Sequence, residues 1–335
     1  FIIFYALSFL SNNKNKNYLM HIVFFIITYC IFLIIFWPTL WTNPVGNFFT
    51  AFEYFVYMGG NFDQNTFFNG QYINVNFLPY TYIFTWILIT TPLLYIILFL
   101  FGYFQIFKRF FIKFINIKTN TDYYDLWRGS NEKKDLFILF NITVIILYWI
   151  TFNVLLYTGW RQIYFINIFL IYISTFAFYK ISIILKSKNK KKILFIAISF
   201  YLAFITYKMI TYHPYQNLYF NNLFKNQVNE KFEVDYWGLS GREFLENLLV
   251  LEKNKNLIKV GVASFFPLER STKLLEKKEK EKIIIVGQDY QRADYIYSNF
   301  TSEVNKKYNN KYEIPSNFIK VDDLILDGVK VYEVY

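Results

Sequence analysis

The sequence has little of what disulfide frameworks and metal centres require. Its single cysteine, Cys30, lies inside an apolar run, which excludes a disulfide network. Its two histidines, His21 and His213, are far apart, and neither has another metal-ligating residue at a typical spacing. We therefore predict no cofactor, and the residues give no support for a divalent metal.

Lysine and arginine are also absent from long stretches. No basic residue occurs in the loop from residue 38 to 79, and the turn near residue 160 carries only Arg161. Basic residues are concentrated instead in the loops at 11–17, 105–135 and 180–192. Because cytoplasmic loops of membrane proteins are enriched in lysine and arginine, we place these three loops inside and the basic-poor segments outside.

Long apolar blocks dominate what remains, since 55% of the 335 residues are hydrophobic and 23% are aromatic. Five complete membrane spans are predicted at about 18–37, 80–104, 136–157, 162–180 and 193–212. Residues 1–10 are apolar without an initial methionine or a basic leader, so we interpret them as the end of a partial span, with sequence missing upstream. The fold class is a polytopic α-helical membrane protein, and its first domain is predicted to cover residues 1–212.

The second predicted domain, residues 213–335, has 18 basic and 18 acidic residues, so the net charge of +11 belongs to the membrane part. The excess of basic over acidic residues therefore reflects membrane topology and contact with membrane lipids, and no nucleic-acid partner is expected. Strands are predicted at 257–265, 282–286, 293–298 and, as a hairpin turning at Asp327-Gly328, within 318–335. Helices are predicted at 242–253 and 267–278. This pattern indicates a small extracytoplasmic α/β domain with a partly parallel sheet.

The external loop at 38–79 is too long to be a simple connection. An amphipathic helix is predicted at 43–58, lying in the membrane interface and ending at Gly59-Gly60. The rest is rich in amides, including Asn69 and Gln71, which suit hydrogen bonding to a sugar. The alternative is that the helix only seals the bundle.

Arg161 follows Trp160 at the outer start of a span. A guanidinium beside exposed backbone N–H groups suits bidentate phosphate binding. The alternative is an anchor to lipid headgroups or an ion pair with Asp63 or Glu53.

Two polar segments follow the last span. The first contains His213, Tyr215, Gln216 and Asn221, an inventory suited to a polar ligand presented from lipid. The second, residues 233–240, includes Asp235 and Trp237, a combination typical of carbohydrate sites and equally of docking surfaces between domains.

Several short motifs together resemble one family. They are Trp37-Pro38-Thr39-Leu40-Trp41-Thr42-Asn43-Pro44, Phe68-Asn69-Gly70-Gln71, Leu78-Pro79-Tyr80-Thr81-Tyr82, Ile89-Thr90-Thr91-Pro92, Gly159-Trp160-Arg161-Gln162, His213-Pro214-Tyr215-Gln216 and Asp235-Tyr236-Trp237-Gly238. In this order, over residues 18–240, they resemble the C-terminal half of bacterial GT-C type membrane glycosyltransferases, in the protein O-mannosyltransferase and aminoarabinose transferase group.

The resemblance implies transfer of a sugar from a polyprenyl-phosphate donor to an acceptor protein, lipid or glycan on the outer face of the cytoplasmic membrane. It also implies a catalytic carboxylate in the first external loop, upstream of Phe1. The catalytic residues are then unknown here, and the donor or substrate candidates are Arg161, Trp160, His213, Tyr215, Gln216, Asn221, Asn69, Gln71, Asp235 and Trp237. The alternatives are a transporter or flippase component and a non-catalytic membrane-anchored sensor or assembly protein.

Overall fold

The computed structural model describes residues 18–61, 65–115, 130–152, 154–301 and 310–335. Its helices are α1 (Tyr18–Phe36), α2 (Pro44–Asn61), α3 (Tyr82–Thr90), α4 (Leu93–Ile115), α5 (Ser130–Phe152), α6 (Asn167–Ile184), α7 (Lys188–Thr211), α8 (Val228–Lys231), α9 (Ser240–Leu251), α10 (Glu269–Thr272) and α11 (Lys277–Lys280). Its strands are β1 (Asn65–Phe68), β2 (Gln71–Asn74), β3 (Ile258–Val262), β4 (Ile283–Gly287), β5 (Tyr295–Ser298), β6 (Asp322–Leu326) and β7 (Val329–Val334).

Within the described residues, four helical segments are long and apolar enough to cross a membrane. They are Leu93–Lys113, Asn131–Phe152, Arg161–Ile184 and Lys188–Thr211, and a shorter apolar helix covers Val23–Phe36. These segments support the prediction of a multi-pass membrane protein. The span predicted at 136–157 begins earlier and ends at Phe152, while the last span already begins at Lys188. The partial span predicted at 1–10 lies outside the described residues.

The span predicted at 80–104 is two helices rather than one. The helix α3 ends at Thr90, Thr91 is extended, and α4 begins at Leu93. Pro92 causes this break, because proline has no backbone N–H to donate and disfavours helical backbone in the preceding residue. The predicted kink is therefore a complete interruption, which leaves carbonyl groups at the end of α3 without helical partners.

The described chain divides into two compact units. The first comprises the described parts of Phe1–Asp63, Phe99–Leu155 and Ile166–Ala177, and the second those of Gln64–Leu98, Leu156–Phe165 and Phe178–Tyr335. The second unit runs through residue 212 without interruption. The predicted boundary between 212 and 213 therefore stays a prediction about where the chain leaves the membrane.

In the first unit, α4, α5 and α6 contact one another through small and charged residues. A side chain at Gly102 of α4 would meet the backbone of Ile173 in α6 at 2.4 Å, so glycine permits this close approach. Asp135 of α5 accepts hydrogen bonds from Arg109 at 2.9 Å and from the Tyr172 hydroxyl at 2.8 Å. These bonds join the C-terminal part of α4 and the first turns of α5 to the middle of the span that contains α6.

The predicted amphipathic helix is present as α2, which continues through Gly59 and Gly60 to Asn61 rather than ending before them. Asn43 caps its first turn, because its side-chain oxygen accepts a hydrogen bond from the Gly46 amide at 3.1 Å. The position of this helix in the membrane interface stays a prediction.

In the second unit, the amide-rich stretch folds as a β-hairpin that the sequence analysis did not predict. Strands β1 and β2 pair in antiparallel fashion around Asn69 and Gly70, which both have positive φ. An Asn-Gly pair favours this two-residue turn, so a local signal for the hairpin was present. Phe68 bridges to Phe232, and the Gly70 amide donates to the Lys231 carbonyl, which holds the hairpin against the later chain.

The C-terminal part forms the predicted partly parallel sheet, with strand order β4-β3-β5-β7-β6. Strand β3 is parallel to β4 and β5, and β7 pairs in antiparallel fashion with β5 and β6. The amphipathic helix α9 contributes Phe244, Leu245 and Leu248 to the core of this sheet. The single helix predicted at 267–278 is wrong, since two separate one-turn helices, α10 and α11, occupy this region.

Candidate functional site

The second unit brings α3 together with the 156–165 turn and with the chain after α7. The Gly159 amide donates to the Tyr82 hydroxyl at 3.2 Å, and the Trp160 indole donates to Thr90 at 3.0 Å. From the C-terminal segment, the Asn221 amide donates to a carbonyl of α3 at 2.8 Å. The 156–165 turn and the chain after α7 therefore both contact α3.

The turn before Arg161 is a tight one. Thr158 and Gly159 both have positive φ, and a short 3₁₀ segment begins at Arg161 and leads into α6. The Gln162 side-chain amide donates to the Tyr157 carbonyl at 3.1 Å. The side-chain oxygen of Gln162 is buried and accepts no hydrogen bond from any residue that the structure describes. The turn thus contains, one position after Arg161, a buried acceptor without a partner among the described residues.

Arg161 lies among three aromatic rings. Its guanidinium carbon is 4.5 Å from the ring centroid of Tyr157, 4.7 Å from that of Trp237 and 5.3 Å from that of Tyr236. These distances are those of cation–π contacts. Within the described part of its unit, Arg161 forms no hydrogen bond through its guanidinium and no ion pair. We call Arg161, Tyr157, Tyr236 and Trp237 the arginine–aromatic cluster.

Two local features hold Trp237 in this cluster. Gly238 has a φ of 63°, a conformation that favours glycine, and it redirects the chain directly after Trp237. Before it, the fully buried Asp235 caps the first turn of α9 by accepting hydrogen bonds from the Leu239 amide at 2.9 Å and the Ser240 amide at 3.2 Å. Trp237 itself remains 56% exposed, so its ring is accessible to a ligand.

Glu233 lies four residues before Trp237 and is a partly buried carboxylate. The burial raises its pKa from 4.5 to about 7, because water no longer solvates the charged form fully. No hydrogen bond or ion pair to its side chain occurs among the described residues. Glu233 is therefore a proton acceptor that changes charge near neutral pH and has no structural partner.

Four of the predicted site residues are buried and make internal hydrogen bonds. Trp160 is buried and bonded to Thr90, and Asp235 caps α9. Tyr215 is buried and donates its hydroxyl proton to Glu243 at 2.5 Å. Asn221 donates its side-chain amide to the carbonyls of Leu88 and Thr91, groups that the break at Pro92 leaves free. These contacts hold the unit together.

Of the others, His213, Asn69 and Gln71 are exposed, whereas Gln216 is half-buried and donates to the Met209 carbonyl at 3.1 Å. His213 and Gln216 contact each other, with 3.0 Å between the His213 Nδ1 and Gln216 Nε2 atoms. Asn69 and Gln71 are exposed at the turn of the β1–β2 hairpin. Of the ten predicted residues, the structure thus brings Arg161 and Trp237 into direct contact.

Sequence reasoning passed over Tyr157, Tyr236 and Glu233 as site residues. Tyr236 and Glu233 belong to a segment that the sequence already marks as rich in aromatics and carboxylates, so a signal was present. Tyr157 precedes Arg161 by four residues in what was predicted to be a span, and no local signal marks it. No group of three His, Cys, Asp or Glu side chains that could hold a metal ion occurs in the described ranges.

No protein-family model, no curated protein and no solved structure matches this chain. The resemblance to membrane glycosyltransferases consequently stays a prediction that depends on its short motifs.

Proposed function

We propose that this protein is a membrane glycosyltransferase in which Arg161 binds the phosphate of a lipid-linked sugar donor. One observation carries the proposal: a guanidinium surrounded by aromatic rings has no carboxylate partner in the described part of its unit. A phosphate would supply the missing counter-charge.

The aromatic surroundings suit a phosphate site physically. Arginine is always charged and presents N–H donors in a planar fork that matches two phosphate oxygens. Rings against the guanidinium displace water, and a charge pair is stronger where water is excluded.

The sugar would then lie on the exposed part of the cluster. Trp237 presents a large ring to solvent, and Tyr236 is in edge contact with it at 5.6 Å between ring centroids. Flat apolar faces flanked by hydrogen-bonding groups suit a pyranose ring, which has an apolar face and polar edges. The donor lipid would remain in the membrane, consistent with the place of Arg161 at the start of an apolar helical segment.

The charge pattern of the loops supports a location at the outer face of the cytoplasmic membrane. There a polyprenyl-phosphate sugar would be the donor, and the hydroxyl group of a protein, lipid or glycan would be the acceptor.

The test uses the full-length protein in liposomes, with binding of a polyprenyl-phosphate sugar and sugar transfer measured separately. Losing a charge-assisted hydrogen bond costs about 1.5–3 kcal/mol, so Arg161→Ala should weaken donor binding about 10–100-fold. Arg161→Lys keeps the charge without the fork and should recover part of the affinity. Arg242→Ala is the matched control, since Arg242 is an exposed arginine paired with Glu246.

Unchanged donor binding in Arg161→Ala would refute the phosphate role. Absence of both donor binding and sugar transfer in the wild-type protein, over a panel of polyprenyl-phosphate sugars, would refute the proposed function.

A further inference from the structure

We propose that the edge of the C-terminal sheet at which β3 and β5 end binds a neutral glycan chain, and that this glycan is the acceptor of the transferred sugar. The inference rests on the proposed function and names the class of acceptor, which the proposed function leaves open. Three segments form this surface: residues 235–239, residues 263–267 after β3 and residues 298–301 at the end of β5. We call it the carboxyl-edge surface.

The first argument is the topology of the sheet. In the strand order β4-β3-β5-β7-β6, the chain leaves β3 towards β4 on one side and leaves β5 towards β6 on the other. The connections after these two neighbouring parallel strands therefore diverge from a common point at their carboxyl ends. In open α/β sheets, ligands bind in the crevice at such a point. The topology thus selects this edge of the sheet before any side chain is considered.

The second argument is that contacts join this edge to the site proposed for the donor. The Asn299 side-chain amide donates to the Asp235 carbonyl at 3.0 Å. A methyl group at Gly238 would meet the ring of Phe266 at 2.0 Å, so the 235–239 segment also packs against the chain after β3. This segment carries Trp237, a member of the arginine–aromatic cluster. The carboxyl-edge surface therefore adjoins that cluster.

The third argument is that exposed aromatic side chains are concentrated on this surface. From residue 213 to the C terminus, the described chain has three of them: Trp237 at 56% exposure, Phe265 at 55% and Phe300 at 41%. All three belong to the carboxyl-edge surface. The Phe265 amide donates to the carbonyl of Thr301, the residue after Phe300, at 2.8 Å. Exposed rings grouped in this way mark a binding surface, and flat rings suit the apolar faces of sugars.

The fourth argument is the charge of the surface, which favours a neutral ligand. Its three segments contain one charged residue, Asp235, whose carboxylate is buried and bonded to the first turn of α9. The surface therefore offers no exposed charge to a phosphate or a charged peptide. An extended peptide would also need a free strand edge for backbone pairing, whereas β3 and β5 are interior strands. A neutral glycan needs neither.

The fifth argument is that this edge contains two features that cost the fold stability. The hydroxyl oxygen of Ser264 is buried and has no hydrogen-bond partner among the described residues. Phe300 has a φ of 60°, which is unfavourable for a residue with a bulky side chain. Unsatisfied polar groups and strained backbone are concentrated at functional sites.

The experiment measures binding of linear neutral hexasaccharides of glucose, mannose and N-acetylglucosamine to the full-length protein in nanodiscs, by calorimetry and without donor. At least one of them should bind to the wild type. Phe265→Ala and Phe300→Asn should each weaken that binding about tenfold, because each variant loses a ring that the glycan would cover. Asparagine tolerates the positive φ at position 300. The control is Ile319→Ala, since Ile319 is an exposed apolar residue before β6, at the opposite edge of the sheet.

A second measurement separates the acceptor from the donor. In sugar transfer from a polyprenyl-phosphate donor, Phe265→Ala and Phe300→Asn should raise the KM for the glycan about tenfold and leave donor affinity unchanged. Arg161→Ala should instead weaken donor binding and leave glycan binding unchanged. The two variants lie in different segments, so if one of them fails to fold, the other decides.

The possible failures can be told apart. If no hexasaccharide of the panel binds, or if both variants bind like the wild type, the inference is wrong, and the proposed function stands as long as donor binding depends on Arg161. If a serine- and threonine-rich peptide binds in place of the glycans and the same two variants lose it, the acceptor is a protein and the inference is wrong. If the wild type binds glycan but neither binds donor nor transfers sugar, the proposed function is wrong, and the acceptor role is wrong with it.

Discussion

Replacing Asp327 by asparagine should weaken the attachment of the C-terminal hairpin to the end of α7. The Asp327 carboxylate accepts hydrogen bonds from Lys208 at 2.7 Å, Lys225 at 3.1 Å and the Tyr212 hydroxyl at 2.9 Å. Asp327 lies in the β6–β7 turn with a φ of 51°, which asparagine tolerates as well as aspartate does. The substitution therefore removes the charge without straining the turn.

The magnitude follows from the pKa of Asp327. Partial burial alone would raise it, but the bonds from Lys208, Lys225 and Tyr212 outweigh burial and lower the pKa from 3.8 to about 2. A drop of this size corresponds to about 2 kcal/mol of preference for the ionised form. The side chain is 28% exposed, so solvent screening reduces the expected loss to about 1 kcal/mol.

The assay is thermal unfolding of the purified protein in detergent, followed by tryptophan fluorescence. A loss of about 1 kcal/mol should lower the Tm by about 1–2 °C at pH 7. Because a carboxylate with a lowered pKa stabilises the folded state only above its unfolded pKa, the difference should shrink as pH falls below about 4 and vanish near pH 2.

The control is Asp289→Asn, which removes an exposed pair with Arg292 and should leave the Tm unchanged. Two results would refute the reasoning: an Asp327→Asn protein with the wild-type Tm at pH 7, or a Tm difference that persists undiminished near pH 2. The second result would show that geometry, rather than charge, is what the aspartate provides.

Three further substitutions test how the site is held. Asp235→Asn should lower the free energy of unfolding by about 1–3 kcal/mol, because the carboxylate that accepts hydrogen bonds from the backbone and hydroxyl of Ser240 is lost. Asn221→Ala should cost about the same, since buried carbonyls at the end of α3 lose their donor. Gly238→Ala should cost about 1–3 kcal/mol, because alanine is strained at the positive φ of this position and its methyl group would meet the ring of Phe266 at 2.0 Å.

Each of these effects is measurable as a shift in the denaturant midpoint. Asn222→Ala is the control for Asn221, because Asn222 is its exposed neighbour. Wild-type stability of Asp235→Asn would contradict the helix-capping role. For Gly238→Ala, a wild-type midpoint together with wild-type donor binding would show that this turn does not position Trp237.

Much of the fold follows from local patterns along the chain. Apolar runs of about 20 residues predict the spans because a membrane requires that length, and this information is contained within each segment. The same holds for the strands of the C-terminal sheet and for the Asp327-Gly328 turn, which depend on alternation and turn residues. The hairpin at Asn69-Gly70 was missed although its turn residues were present.

Element boundaries were less predictable. Whether Pro92 bends a helix or ends it depends on what satisfies the freed carbonyls, and the partner is Asn221, more than 100 residues later. Likewise, the break between α10 and α11 is absent from the helical pattern of charges and apolar residues. A distant contact accompanies the first break.

The sequence by itself determined the apolar runs of membrane-spanning length, and it predicted a polar outer loop, one isolated outer arginine and a neutral C-terminal domain. Only the tertiary structure decided that Arg161 meets Trp237, that Asp235 caps a helix, and that Glu233 is desolvated without a partner. The physical reason is that hydrophobicity and turn preference are properties of neighbouring residues. Burial, charge pairing and pKa are instead properties of residues that folding brings together from distant parts of the chain.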